Sequence, residues 1–160
     1  MKINIIKQAD CGKVSQPDTP TLTYNIGYVP DDESFHIRVI TNTGGGFFSV
    51  EWISLDDILS CVENRETFNA NIFASLFKSK SANNSGFLAA ALKAEKLLLP
   101  YKETKRLHTF GDVAAFKQSM QKHLKKDLPD VVAEREAAKE AKQKALAEEL
   151  LKRQASKNTK

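Results

Sequence analysis

Lys102, Lys105 and Arg106 stand close together in one polar connection, flanked by Tyr101 and His108. Lys78 and Lys80 lie in a second connection, rich in Ser and Asn, that also holds Asn83 and Asn84. Lys122, Lys125 and Lys126 close a third cluster. Ammonium and guanidinium groups on loops suit phosphate oxygens, and Asn amides suit base edges or backbone. These ten residues are the candidate nucleic-acid contacts, the cations for phosphate and the two Asn for base or backbone. For any basic protein the bland alternative is a solvated Lys-rich helix face.

The distribution of charge sharpens that reading. The 160 residues carry a net charge of +4. Residues 1–64 hold 4 basic and 9 acidic side chains, whereas residues 65–129 hold 12 basic and 5 acidic ones. A phosphate-bearing partner is therefore drawn to the second region.

Other chemistry finds little material. The histidines are His36, His108 and His123, on a strand face, in a connection and near a helix end. No G-x-S-x-G is present, and neither Cys11 nor Cys61 has a protease context. No H-x-x-x-H or C-x-x-C occurs, and Asp31, Asp32 and Glu33 fit a solvated hairpin tip. Gly44 to Gly46 leads into a strand pattern, not into the helix N-terminus that a phosphate loop needs. The expectation is no catalytic residue, no metal and no cofactor. An enzyme would have to rest on His36, His108 or Cys11.

The elements that must position the basic residues read as β first and α later. Lys2 to Lys7 is a short apolar run. Leu22, Tyr24, Ile26 and Tyr28 alternate with smaller or polar residues, and Phe35, Ile37 and Val39 do the same. Phe47 to Ile53 reads as a fourth strand, reached through the turn Gly44–Gly46. Short connections favour an antiparallel meander open on one face. That open face would show His36, Arg38 and Phe47, the charge-plus-stacking logic of single-strand binders, set against acidic Asp31, Asp32, Glu33 and Glu51.

Ser54 caps a helix with Asp56 and Asp57 in its first turn. Further helices are expected over about 66–78, over 86–99 with Ser85 as cap, and over 110–126 with Thr109 as cap. Core positions are Ile37, Val39, Val50, Trp52, Ile58, Leu59, Phe73, Leu76, Leu88, Leu92, Phe116 and Met120. Beyond Pro129, Ala, Glu, Lys and Arg dominate, with Glu140–Lys144, Glu148–Lys152 and Glu149–Arg153 in favourable i,i+4 order.

The fold expectation is α+β: an N-terminal antiparallel β-meander of three to four strands packed with three to four helices, plus a long charged C-terminal helical extension. Residues 1–127 form the domain and 128–160 a mobile, mostly helical extension frayed from Gln154 onward. The functional expectation is a small non-enzymatic regulator or accessory protein that binds DNA or RNA. The alternative is a protein-interaction module, an adaptor, inhibitor or homodimer, using the sheet face or the C-terminal helix, with a protein partner or a second copy bound through residues 130–160. No apolar run spans a bilayer and the N-terminus lacks the pattern of a signal peptide, so a cytoplasmic protein is expected.

Overall fold

A computed structural model of the chain describes residues 2–104 and 106–158. The chain divides into two compact units, Met1–Leu128 and Pro129–Lys160. The first is an α+β unit. Strands β1 (Asn4–Cys11), β2 (Leu22–Val29), β3 (Ser34–Asn42) and β4 (Ile53–Ser54) form one antiparallel sheet in that order. Helix α1 (Leu55–Val62) follows, then a 3-10 segment (Ala70–Leu76) and helix α2 (Asn83–Ala94). A two-stranded ladder, β5 (Leu98–Pro100) with β6 (His108–Phe110), leads into helix α3 (Val113–Met120) and a 3-10 turn, Gln121–His123.

The alternating pattern sets the sheet's faces. Tyr24 pairs with Val39 and Ile26 with Ile37, and all four side chains are buried in the core with Leu88 and Leu92 of α2. The opposite face is not open as expected. Asn25, His36, Arg38 and Ile40 are all buried, with Arg38 only 5% exposed. Arg38 Nε donates to Asn25 Oδ1 at 3.1 Å, and Trp52 stacks over the guanidinium at 4.2 Å. Trp52 is thus half-buried on this side, not central core, and Val50, Leu59 and Leu76 are also half-buried. The other eight expected core residues are buried.

Several helices and strands differ from expectation, each for a local reason. Residues 47–52 form no ladder, because side chains satisfy their backbone. Ser49 N–H donates to Asn84 Oδ1 at 2.7 Å, and the Phe47 carbonyl accepts from Asn83 and Ser81. The helix expected over 66–78 is a 3-10 segment that starts only after Asn69, whose side chain accepts from Asn71 N–H at 2.9 Å. Before it, Phe68 is bridged to His108. α2 begins earlier than expected, so Ser85 is a buried helical residue and not a cap. It also stops earlier, at Ala94, and Leu98 to Pro100 pair with β6. α3 is capped by Asp112 rather than Thr109, with Ala115 N–H at 3.1 Å from Asp112 Oδ1. The cap of α1 is Ser54 as expected, accepting from Asp57 N–H at 3.1 Å.

The second unit is helix α4 (Val131–Asn158). Asp130 Oδ1 accepts from Ala133 N–H at 3.0 Å, and Glu149 pairs with Arg153 at 2.7 Å. The helix is regular to Asn158, past the Gln154 at which fraying was expected. Leu146, Leu150 and Leu151 are each more than half exposed. No helix among the described residues is long and apolar enough to cross a membrane.

Candidate functional site

The N-terminus of α2 faces an open recess of about 470 Å³. Lys13 and Ser15 line it from the β1–β2 connection, Asn83 and Gly86 from α2, and Arg106 from the β5–β6 hairpin, with Phe87 among the apolar lining residues. Local structure fixes each contributor. Gly12 lets the chain fold back tightly, since a Cβ there would stand 2.4 Å from the Gln16 carbonyl oxygen. Gln16 N–H then donates to the Lys13 carbonyl at 2.9 Å, which holds Lys13 in the turn. Tyr101 N–H donates to the Leu107 carbonyl at 3.0 Å and closes the hairpin beside Arg106.

The electrostatics of the recess are one-sided. No acidic side chain among the described residues lines it. Among the described residues neither Lys13 nor Arg106 has a carboxylate partner. Lys13 Nζ stands 5.6 Å from the Phe87 ring centroid, a cation–π contact that leaves the ammonium charge unneutralised. The helix N-terminus adds positive potential of the same sign. Two cations from separate connections and an amide side chain thus surround a concave space suited to an anion's oxygens.

The expected contacts fall into two groups with exceptions. Asn83 and Arg106 line the recess. Lys78 and Lys80 are exposed on the connection leading into α2, and Lys102 is exposed on the hairpin with its Nζ 5.1 Å from the Tyr101 ring. Lys105 lies outside the described residues. Lys122 and Lys126 flank His123, which lies within electrostatic reach of Glu95 just past the other end of α2, a helix of 12 residues, about 18 Å at 1.5 Å per residue. Lys125 is exposed between them in sequence. There Leu128 N–H donates to the Ile5 carbonyl at 2.8 Å, and Lys126 Nζ meets His123 Nδ1 at 2.9 Å. Asn84 is buried instead. It is 4% exposed, its Oδ1 accepts from Ser49 N–H, and its Nδ2 donates to the Ser79 carbonyl and Oγ at 3.1 Å each. Both amide protons are thereby spent inside the protein, and burial holds the oxygen there as well.

Sequence reasoning missed Lys13, Ser15 and Phe87. Lys13 sits in the acidic third of the chain, and only the turn composition around Gly12 marks its position. Phe87 reads as core by spacing and is core, at 7% exposure, while also lining the recess.

The reactive-looking groups are occupied otherwise. Asp32, Ser34 and His36 form a chain in which Ser34 is the middle member. Ser34 Oγ donates to Asp32 Oδ1 at 2.6 Å and lies 2.9 Å from His36 Nε2. The Ser34 hydroxyl, donating to the carboxylate, holds Asp32 below its usual range and turns its oxygen lone pairs toward His36 Nε2. A hydrolase needs the reverse, with the His between the acid and the Ser. Burial pushes the Cys11 thiol up to about 11, with Asp10 and Glu95 adding to it, so the nucleophilic thiolate is suppressed. His108 is 3% exposed, and its Nδ1 finds no hydrogen-bond partner. Burial, then Lys93, pulls its pKa down, leaving a neutral ring 6.3 Å from that of Phe68. Among the described residues no three His, Cys, Asp or Glu side chains gather as a metal set.

Compared against protein-family models, curated protein sequences and solved structures, the chain matches none of them.

Proposed function

We propose that this protein is a small, non-enzymatic nucleic-acid-binding regulator or accessory protein whose phosphate contacts centre on the recess at the start of α2. The observation that carries the reading is the convergence of Lys13 and Arg106, both without a carboxylate partner among the described residues, on one concave surface. An uncompensated cation keeps its full attraction for phosphate, and two of them fixed by separate connections set a phosphate's position. Lys78, Lys80 and Lys102 supply the surrounding positive field, with Asn83 as a hydrogen-bonding contact.

Fluorescence anisotropy of labelled single-stranded DNA, duplex DNA and RNA at two salt concentrations tests this. A charge-assisted hydrogen bond contributes about 1.5 kcal/mol or more. Changing both Lys13 and Arg106 to Ala is therefore expected to weaken binding about 100-fold. The salt dependence should fall by roughly 0.7 for each lost single-strand contact. The triple change of Lys122, Lys125 and Lys126 to Ala serves as the control and should cost less than about threefold. Equal losses in the two variants would refute a localised site.

A second reading, a protein-interaction module, is favoured by one observation: the exposed Leu146, Leu150 and Leu151 of α4. If every nucleic-acid probe stays unbound at low salt, this stretch becomes the surface to test against partner proteins.

A further inference from the structure

Eight of the nine phenylalanines are buried or half-buried, and Phe47 is 90% exposed. An aromatic ring left in water forfeits the burial that its eight counterparts gain. Its backbone, by contrast, is held firmly. The Phe47 carbonyl accepts from Asn83 Nδ2 at 3.0 Å and from the Ser81 hydroxyl. The preceding turn is tied by Asn42, whose Oδ1 accepts from Gly44 N–H at 3.1 Å and whose Nδ2 donates to the Gly45 carbonyl. Gly45 and Gly46 hold positive φ angles of 76° and 94°, so the turn needs glycine at both.

The same turn meets the recess. Asn83, which bonds the Phe47 carbonyl, is one of the recess walls. Lys13 Nζ reaches so close to Gly44 that a Cβ there would stand 3.1 Å from it. An unneutralised ammonium and a solvent-exposed aromatic ring therefore share one fixed turn. These are the two halves of nucleotide recognition in single strands: a cation for the phosphate and a ring face for the base.

We infer that the site is selective for single-stranded nucleic acid, with an unpaired base stacked on Phe47 while its phosphate lies at Lys13 and Arg106. The inference rests on the phosphate reading above and adds the class of nucleic acid. In a duplex each base face is covered by its neighbours, and only base edges reach the grooves. A ring projecting from the protein surface then has no face to stack on. An apolar protein partner fits the turn less well, because Lys13 and Asn83 lie beside it with their polar groups.

The test uses the full chain, an oligothymidine of about 15 nucleotides, long enough for a single-strand site, and a duplex of equal length. The unchanged protein is expected to favour the single strand. Phe47→Ala should weaken single-strand binding roughly tenfold while leaving duplex binding and the salt slope as they were. Phe47→Trp should restore single-strand affinity and add tryptophan fluorescence that oligothymidine quenches. The exposure of Phe47 leaves the fold intact in both variants, which a thermal melt followed by circular dichroism checks. If Phe47→Ala binds the single strand as well as the parent while the Lys13 and Arg106 double variant does not, stacking is refuted and the phosphate contacts stand. If no probe binds, both readings fall together.

Discussion

The two ends of α2 draw on similar residue types and finish in opposite ways. At its start, Ala82 offers no side-chain cap, and Lys13 and Arg106 stand in the recess without carboxylates. At its finish, Glu95 is buried, its side chain 4% exposed, and accepts from Lys7 at 2.8 Å and from the Tyr24 hydroxyl. Burial, then the bond to Glu95, pushes the Tyr24 pKa above its ordinary value, so the phenol stays a donor. Nearby, Lys2 pairs with Asp127 at 3.1 Å. Positive charge is plentiful at both ends, but several of the cations are compensated only at the second. The number of lysines thus says less about a binding surface than whether their charge is already spent inside the protein.

The largest effect that sharpens this contrast is at the closed end. Glu95→Ala removes the acceptor shared by Lys7 and Tyr24. A buried pair broken on one side loses roughly 3–5 kcal/mol, and Lys7, being part-exposed, recovers some hydration. A loss of about 3 kcal/mol is expected, read as a lower urea midpoint with unchanged slope. Affinity of the folded protein for oligothymidine should stay within about twofold of the parent. A drop in affinity matching the drop in stability would show that the two ends act as one unit.

Next comes Asn84→Ala, at the open end. Ser49 N–H loses its partner in a half-buried position, while the carbonyl of the exposed Ser79 can turn to water, costing about 1 kcal/mol in all. Here affinity should also fall, because Asn84 anchors the connection that carries Ser81 and leads into Asn83. A stability loss with full affinity would mean that the walls of the recess hold without it.

The sheet and its turns were legible because their periodicity and punctuation are local. Tyr24, Ile26, Ile37 and Val39 announce a shared face, and Ser54 with Asp57 announces a cap. The connections that make the recess were not. Phe47 to Trp52 alternates like a strand, yet its polar backbone is answered by Asn83 and Asn84, far along the chain. Long-range side-chain bonds of that kind override local propensity and leave no periodic trace. Arg106 was legible as a cation in a loop. Lys13 was not, because its role comes from a hairpin bringing two distant connections together. The sheet's polar face misled for a related reason: His36 and Arg38 have exposed-looking types, but Trp52 covers the guanidinium.

The smallest expected effect tests whether the closed end is tuned for stability alone. After Glu95, Lys96 adopts φ 63°, a left-handed conformation that disfavours any side chain. Leu97 N–H reaches back to the Leu92 carbonyl at 2.9 Å and Lys96 N–H to the Lys93 carbonyl at 3.0 Å, the two bonds of a Schellman ending. Leu92 and Leu97, the apolar pair that accompanies such an ending, are both buried. Glycine is the usual residue at this position. Lys96→Gly relieves about 1 kcal/mol of backbone strain and gives back part of it, because the unfolded chain gains freedom. The net gain is about 0.5 kcal/mol, a rise of about 2 °C in melting temperature for a unit of this size. Removing this lysine should leave nucleic-acid affinity unchanged, unlike removing Lys13. A fall in melting temperature would mean that the Lys96 side chain contributes more than its backbone conformation costs. A fall in affinity would put a working cation at the end of α2 that the contrast assigns to stability.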